Sequence, residues 1–142
     1  MRAVPAAVLL LVLAGCGRDG VEPAPDGGSP ACTALTDRLP AKVLDRPRRN
    51  LSAAGAAAWG DPSIVLRCGV PATGPTTNPC LEVGGLDWTL AETSKAFRFT
   101  TYGRLPAVEV EVPTRVDRTE AAAALVDLAP AVRTLEKTAA CT

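Results

Sequence analysis

Apolar and polar residues alternate most cleanly in "AVEVEVP" at 107–113, where Val108, Val110 and Val112 take turns with Glu109 and Glu111. Period-two alternation puts the valines on one side of a strand and the glutamates in water. "SIVLRCGV" from Ser63 sets Ile64, Leu66, Cys68 and Val70 on one face in the same way. "AFRFTTY" sets Phe97, Phe99 and Thr101 against Arg98, Thr100 and Tyr102. "LEVGGLDWTLA" reads as two short strands around Gly84-Gly85, a hairpin signal, with Leu86, Trp88 and Leu90 sharing a face. Upstream, "AKVLDRPRRNLSAAGAAA" has little periodicity. It predicts a short strand at Val43-Leu44 and loop elsewhere.

Helical spacing occurs at the two ends of this region. In "ACTALTDRLP" Leu35 and Leu39 recur four apart before Pro40, which predicts a short helix. Near the C-terminus, Asp117 followed by Glu120 forms an Asp-x-x-Glu variant of the capping box. Ala121, Leu125, Leu128, Val132, Leu135 and Ala139 then fall on one helical face, with Pro130 expected to kink or split the helix. The pattern predicts an α+β fold: a small antiparallel sheet of about four to five strands, with the short N-terminal helix and the Pro-kinked C-terminal helix on one face.

The first thirty residues have a different character. "MRAVPAAVLLLVLAGC" carries one charge at Arg2 and an apolar stretch from Ala3 to Leu13. That stretch is about half the ~20 residues a membrane-spanning helix needs, so it predicts a cleaved secretory leader over residues 1–15. Leu13-Ala14-Gly15-Cys16 resembles the lipobox of bacterial lipoproteins, whose cysteine receives a diacylglyceryl group. The following "GRDGVEPAPDGGSP" has four glycines, three prolines and no large hydrophobe. Residues 16–30 are therefore expected to form a lipidated cysteine and a flexible spacer. As free coil, the stretch after Cys16 would span roughly 20 Å, with a limit near ~45 Å. One globular domain is expected over residues 31–142.

Cysteine usage follows from export. Five cysteines are an odd number, and assigning Cys16 to lipid leaves Cys32, Cys68, Cys80 and Cys141 for two disulfides. Sequence alone allows three pairings. Cys68–Cys80 and Cys32–Cys141 are favoured, because one closes a turn-rich loop and the other staples the domain ends. Metal binding fits poorly with no histidine in the chain and no closely spaced cysteine pair, and a thioredoxin-like role lacks Cys-x-x-Cys. No cofactor is expected.

The catalytic inventory is thin. Without histidine the chain lacks the commonest general acid–base, and no serine stands in a nucleophile-elbow context. An enzyme would need two of Asp61, Glu82, Asp87 and Glu109 to converge in a pocket, and spacing does not require it. The chain is therefore expected not to be an enzyme. Arg46, Arg48 and Arg49 in "DRPRRN" are a concentration of positive charge that reads as a solvated loop, with contact to anionic lipid or wall polymer as the alternative. Fifteen basic and fifteen acidic residues balance, which together with export disfavours nucleic acid. Candidate ligand-binding residues are Tyr102 and Arg104, with Arg48 and Arg49.

"AAWGDPSIVLRCGVP", Cys80, "LDW" at 86–88, "FTTYGRLPAVEVEVP" and the closing "AAC" resemble a family of actinobacterial exported proteins and lipoproteins, domain of unknown function 3515. The resemblance covers roughly Cys32 to Cys141, and its Trp-Gly-Asp-Pro and Thr-Thr-Tyr-Gly-Arg segments are the specific ones. It implies an envelope location and structural cysteines, and no activity. The expectation is a lipid-anchored protein on the extracytoplasmic face of the cell membrane, a binding or accessory module with an envelope protein or polymer as partner. A small-ligand or polymer-binding domain is the alternative, with a histidine-free carboxylate enzyme behind it.

Overall fold

The computed structural model describes residues 20–142, so the expected leader and the lipidation of Cys16 lie outside the described residues. In chain order the elements are α1 (Pro30–Thr36), β1 (Lys42–Val43), β2 (Arg46–Asn50), β3 (Ala56–Trp59), β4 (Ile64–Val70) and β5 (Cys80–Val83). There follow β6 (Leu86–Glu92), β7 (Ala96–Thr101), β8 (Arg104–Leu105), β9 (Ala107–Pro113), α2 (Arg118–Val132) and β10 (Glu136–Lys137). One eight-stranded sheet has the order β1-β2-β3-β4-β9-β7-β6-β5, and β10 pairs separately with β8. Every pairing is antiparallel. Two meanders, β1–β4 and β5–β7, are thus joined by β9 lying between β4 and β7.

The alternating pattern sets the two faces. Leu66, Val110, Phe99 and Leu90 pair directly across β4, β9, β7 and β6, forming one apolar row. On the same side Trp59, Trp88 and Ile64 are fully buried. Helix α2 lays Ala121, Leu125, Leu128 and Val132 onto this face, each fully buried, and α1 adds Leu35. Asp117 starts α2 as expected: its Oδ1 accepts from the backbone N–H groups of Thr119 at 2.7 Å and Glu120 at 3.0 Å. The Gly84-Gly85 turn also forms, with both residues at positive φ, +63° and +74°. Those values suit a two-residue hairpin loop, and they favour glycine.

Several expectations are corrected. The sheet has eight strands because β2 and β3 form where loop was expected. β2 reads "RPRRN", and its arginines and proline suit a strand near a sheet edge. β3 reads "AAAW" and is buried on both faces, so it shows no alternation. Pro130 does not split α2, since it lies in the last turn and removes a single bond close to the end. Ala139 stands beyond the helix and is exposed, while Leu135 is buried just past its end.

The expected spacer is also part of the fold. Ala24 is 6% exposed and clusters with Val70 and Ala107 on the sheet face opposite the helices, because an irregularity between Cys68 and Val70 turns Val70 away from the Ile64–Leu66 face expected for it. Asp26 donates its backbone N–H to Gly69 O at 3.0 Å. A Cβ on Gly69, which has φ +93°, would stand 2.3 Å from Asp26 C, and one on Gly27 would stand 2.4 Å from Ala54 O. The glycines let two backbones touch, so the segment from Ala24 to Ser29 is a strap over β3 and β4. Low hydrophobicity there reflects close backbone packing.

The disulfides are Cys32–Cys68 and Cys80–Cys141, which overturns the favoured pairing. Register explains why. Cys68 belongs to the inward set with Ile64 and Leu66, and it meets Cys32 on α1. Cys80 pairs with Thr89 while Leu81 pairs with inward-facing Trp88, so Cys80 points to the opposite face. Two cysteines on opposite sides of one sheet cannot be bridged, however short the loop between them.

Candidate functional site

The two segments singled out by the sequence turn out to be clamps. In Trp59-Gly60-Asp61-Pro62, the Trp59 Nε1–H donates to Pro40 O at 3.1 Å, which satisfies the one polar group of a buried indole. Gly60 has φ +75°, and a Cβ there would stand 2.7 Å from Arg46 Cδ. Arg46 crosses the turn and donates to Pro62 O at 3.2 Å, while Ser63 Oγ donates to Gly60 O at 2.9 Å. The Asp61–Pro62 bond is cis.

The Thr100-Thr101-Tyr102-Gly103-Arg104 segment holds the C-terminal tail. Thr101, 1% exposed, accepts the Val108 N–H on its Oγ1 at 2.9 Å. Tyr102 donates its backbone N–H to Asp87 O at 2.8 Å. Gly103 accepts from Thr138 N at 2.8 Å, and a Cβ there would lie 2.1 Å from Ala139 O. Arg104 donates to Leu135 O at 2.8 Å and Arg133 O at 3.4 Å, carbonyls at and just past the end of α2. The Thr101 and Arg104 side chains and the Tyr102 and Gly103 backbone thus meet intramolecular partners.

Among the described residues, two concavities lie on the open face of the sheet. The smaller, about 310 Å³, is lined by Glu82, Asp87, Tyr102, Arg104, Lys137 and Cys141, among others. Glu82 and Asp87 stand opposite each other in the β5–β6 hairpin. Two of the four candidate carboxylates therefore converge. Asp87 Oδ2, however, accepts the backbone N–H of Cys141 at 2.9 Å, which engages it in holding the tail. Asp61 sits exposed in the β3–β4 turn, and Glu109 is in an ion-pair chain on the open face.

The larger concavity, about 550 Å³, is lined by Gly20, Val21, Glu22, Ser63, Val65, Arg67, Lys95 and Glu111, among others. Beside it Arg67 pairs with Glu109 at 2.7 Å, and Arg98 reaches Glu109 at 3.7 Å and Glu111 at 3.5 Å. The chain alternates in sign across β4, β9 and β7, so its charges cancel locally.

Arg48 and Arg49 lie on β2, lining neither concavity, and are not gathered with Tyr102 and Arg104. Arg48 Nη1 donates to Leu39 O at 3.4 Å while its Nε is buried without a partner, and Arg49 donates to Ser63 Oγ. Sequence reasoning missed the role of Gly27, Gly55 and Gly69, where a Cβ would enter facing backbone. Their glycine identity is the signal that was available. It missed the tail as well, since Thr138 to Cys141 carries no periodicity.

These features define a helix-backed antiparallel sheet, stapled twice, whose signature segments fasten its own turns and ends. The chain belongs to the family described as protein of unknown function (DUF3515), which matches over residues 3–140. No curated protein and no solved structure matches it.

Proposed function

We propose that this chain is a lipid-anchored envelope protein on the extracytoplasmic face of the cell membrane, acting as a binding or accessory module and not as an enzyme. The observation that carries the reading is the state of the cysteines. Cys32, Cys68, Cys80 and Cys141 are consumed in two disulfides, which leaves Cys16 as the fifth, placed after Leu13-Ala14-Gly15. Disulfides persist in oxidising compartments, and a cysteine at the end of an apolar leader suits diacylglyceryl attachment. Two acyl chains give a lasting anchor where one is marginal, at about 0.8 kcal/mol per buried methylene. The clamp roles of Trp59, Thr101 and Arg104 in the two signature segments support a non-enzymatic reading, since those side chains hold the fold.

Fractionation of cells carrying the parent chain and Cys16→Ala tests the anchor. The parent is expected in the membrane fraction and the variant in the aqueous one. Equal partition of both would overturn the proposal. A second reading, a small-ligand or envelope-polymer site, is favoured by the cleft that joins Tyr102 with Glu82, Asp87 and Lys137. Tyr102→Ala and Lys137→Ala would then lower binding of isolated wall polymer without changing stability.

A further inference from the structure

Three residues, 17–19, lie between Cys16 and Gly20, and the four steps of chain from one to the other reach at most ~14 Å when fully extended. From Gly20 onward the polypeptide already lies on the domain. Gly20, Val21 and Glu22 line the larger concavity with Ser63, Lys95 and Glu111, at the end of the sheet where β4 and β7 begin and β9 finishes. By Asp26 the strap has reached Gly69, near the far end of β4. It therefore runs along β4 on the open face, with its N-terminal side at the Ser63 end. The helices cover the other face, where Val126 of α2 is 53% exposed and points away from the sheet.

We infer that the end of the open sheet face bearing Ser63, Lys95 and Glu111 is held against the headgroup layer of the bilayer, with the α2 side turned away. The inference rests on the lipid anchor proposed above. A free spacer would have let the domain tumble well clear of the membrane, whereas docking of the strap shortens the tether to less than the width of a small domain. The occupant of this face is the bilayer surface, because the anchor and the face are separated by so little chain. Charge does not drive the contact: Arg67, Arg98, Glu109 and Glu111 neutralise one another, and Lys95 is offset by Glu22. The short tether imposes it.

The experiment uses the full lipidated chain in phosphatidylethanolamine–phosphatidylglycerol vesicles carrying a headgroup-attached quencher. A small fluorescent amino acid is placed at position 95 or at position 126. Position 95 is expected to be quenched several-fold more strongly than position 126. Equal or reversed quenching in protein that floats with the vesicles would overturn the orientation. Failure of the anchor itself reads differently, as a parent chain that does not float or a Cys16→Ala chain that floats equally well. A long Gly/Ser insertion between Gly17 and Arg18 should lower quenching at position 95 toward that at 126. Unchanged quenching would show that tether length does not set the contact, and would also overturn the inference.

Discussion

On the helix-covered face of the sheet, Trp59, Trp88 and Phe99 are at most 1% exposed, and the Cys32–Cys68 bridge lies wholly inside. On the opposite face the apolar cluster among the described residues is small, made of Ala24, Val70 and Ala107. Arg67, Glu109, Arg98 and Glu111 run across its middle, and the Cys80–Cys141 bridge sits at its partly exposed edge. One face is stabilised by burial of large side chains. The other is organised by backbone contact at glycines and by partly exposed ion pairs, which contribute less. Stability and availability are thereby divided between the two sides of one sheet, and substitutions should separate them.

The largest effect is expected on the covered face. Trp88→Ala removes a fully buried indole and should lower unfolding free energy by about 3–5 kcal/mol in denaturant titration. Trp59→Ala should cost a similar amount and leave the Pro40 carbonyl without its donor. Next come the bridges. Replacing Cys32 and Cys68 by alanine should cost about 2–4 kcal/mol, because the unfolded chain regains the entropy of the opened loop. A mild thiol should open Cys80–Cys141 first, because Cys80 is exposed while Cys32 and Cys68 are fully buried. Alkylation followed by peptide mass mapping reads the order, and initial opening of the buried bridge would break the comparison.

Smaller still is the strap. Gly69→Val forces a β-branched side chain to φ +93° and into Asp26, so about 1–3 kcal/mol is expected. The accompanying sign is early proteolytic cleavage between residues 20 and 29 while the rest of the domain stays intact. Least of all, Arg67→Ala removes a partly buried pair but leaves Glu109 its contact with Arg98, and should change stability by about 1 kcal/mol.

What could be read in advance follows the same division. Val108, Val110 and Val112, the Gly84-Gly85 hairpin and the Asp117 cap announce themselves, because burial on one face writes a period and turns demand particular residues. β2 and β3 do not. Arg46 to Asn50 lies near an edge with little to bury, and Ala56 to Trp59 is covered from both sides, so neither alternates. The strap was invisible because Gly27 and Gly69 work by lacking a side chain. Disulfide pairing needed the register, since Cys68 and Cys80 close a short loop yet face opposite ways. The candidate site was half legible: Tyr102, Arg104, Glu82 and Asp87 share a cleft, while Arg48 and Arg49 stay on β2. Spacing could not show that Asp87 and Arg104 are committed to the tail.

The central claim is that one cysteine carries lipid while the other four are oxidised in pairs. Intact-mass analysis of the membrane-extracted protein, with thiol alkylation before and after reduction, tests it most directly. The account predicts a chain beginning at Cys16 with a diacylglyceryl adduct, taking up no alkyl group until reduction exposes four thiols. A chain retaining residues 1–15, lacking acyl mass, or alkylated without reduction would contradict it.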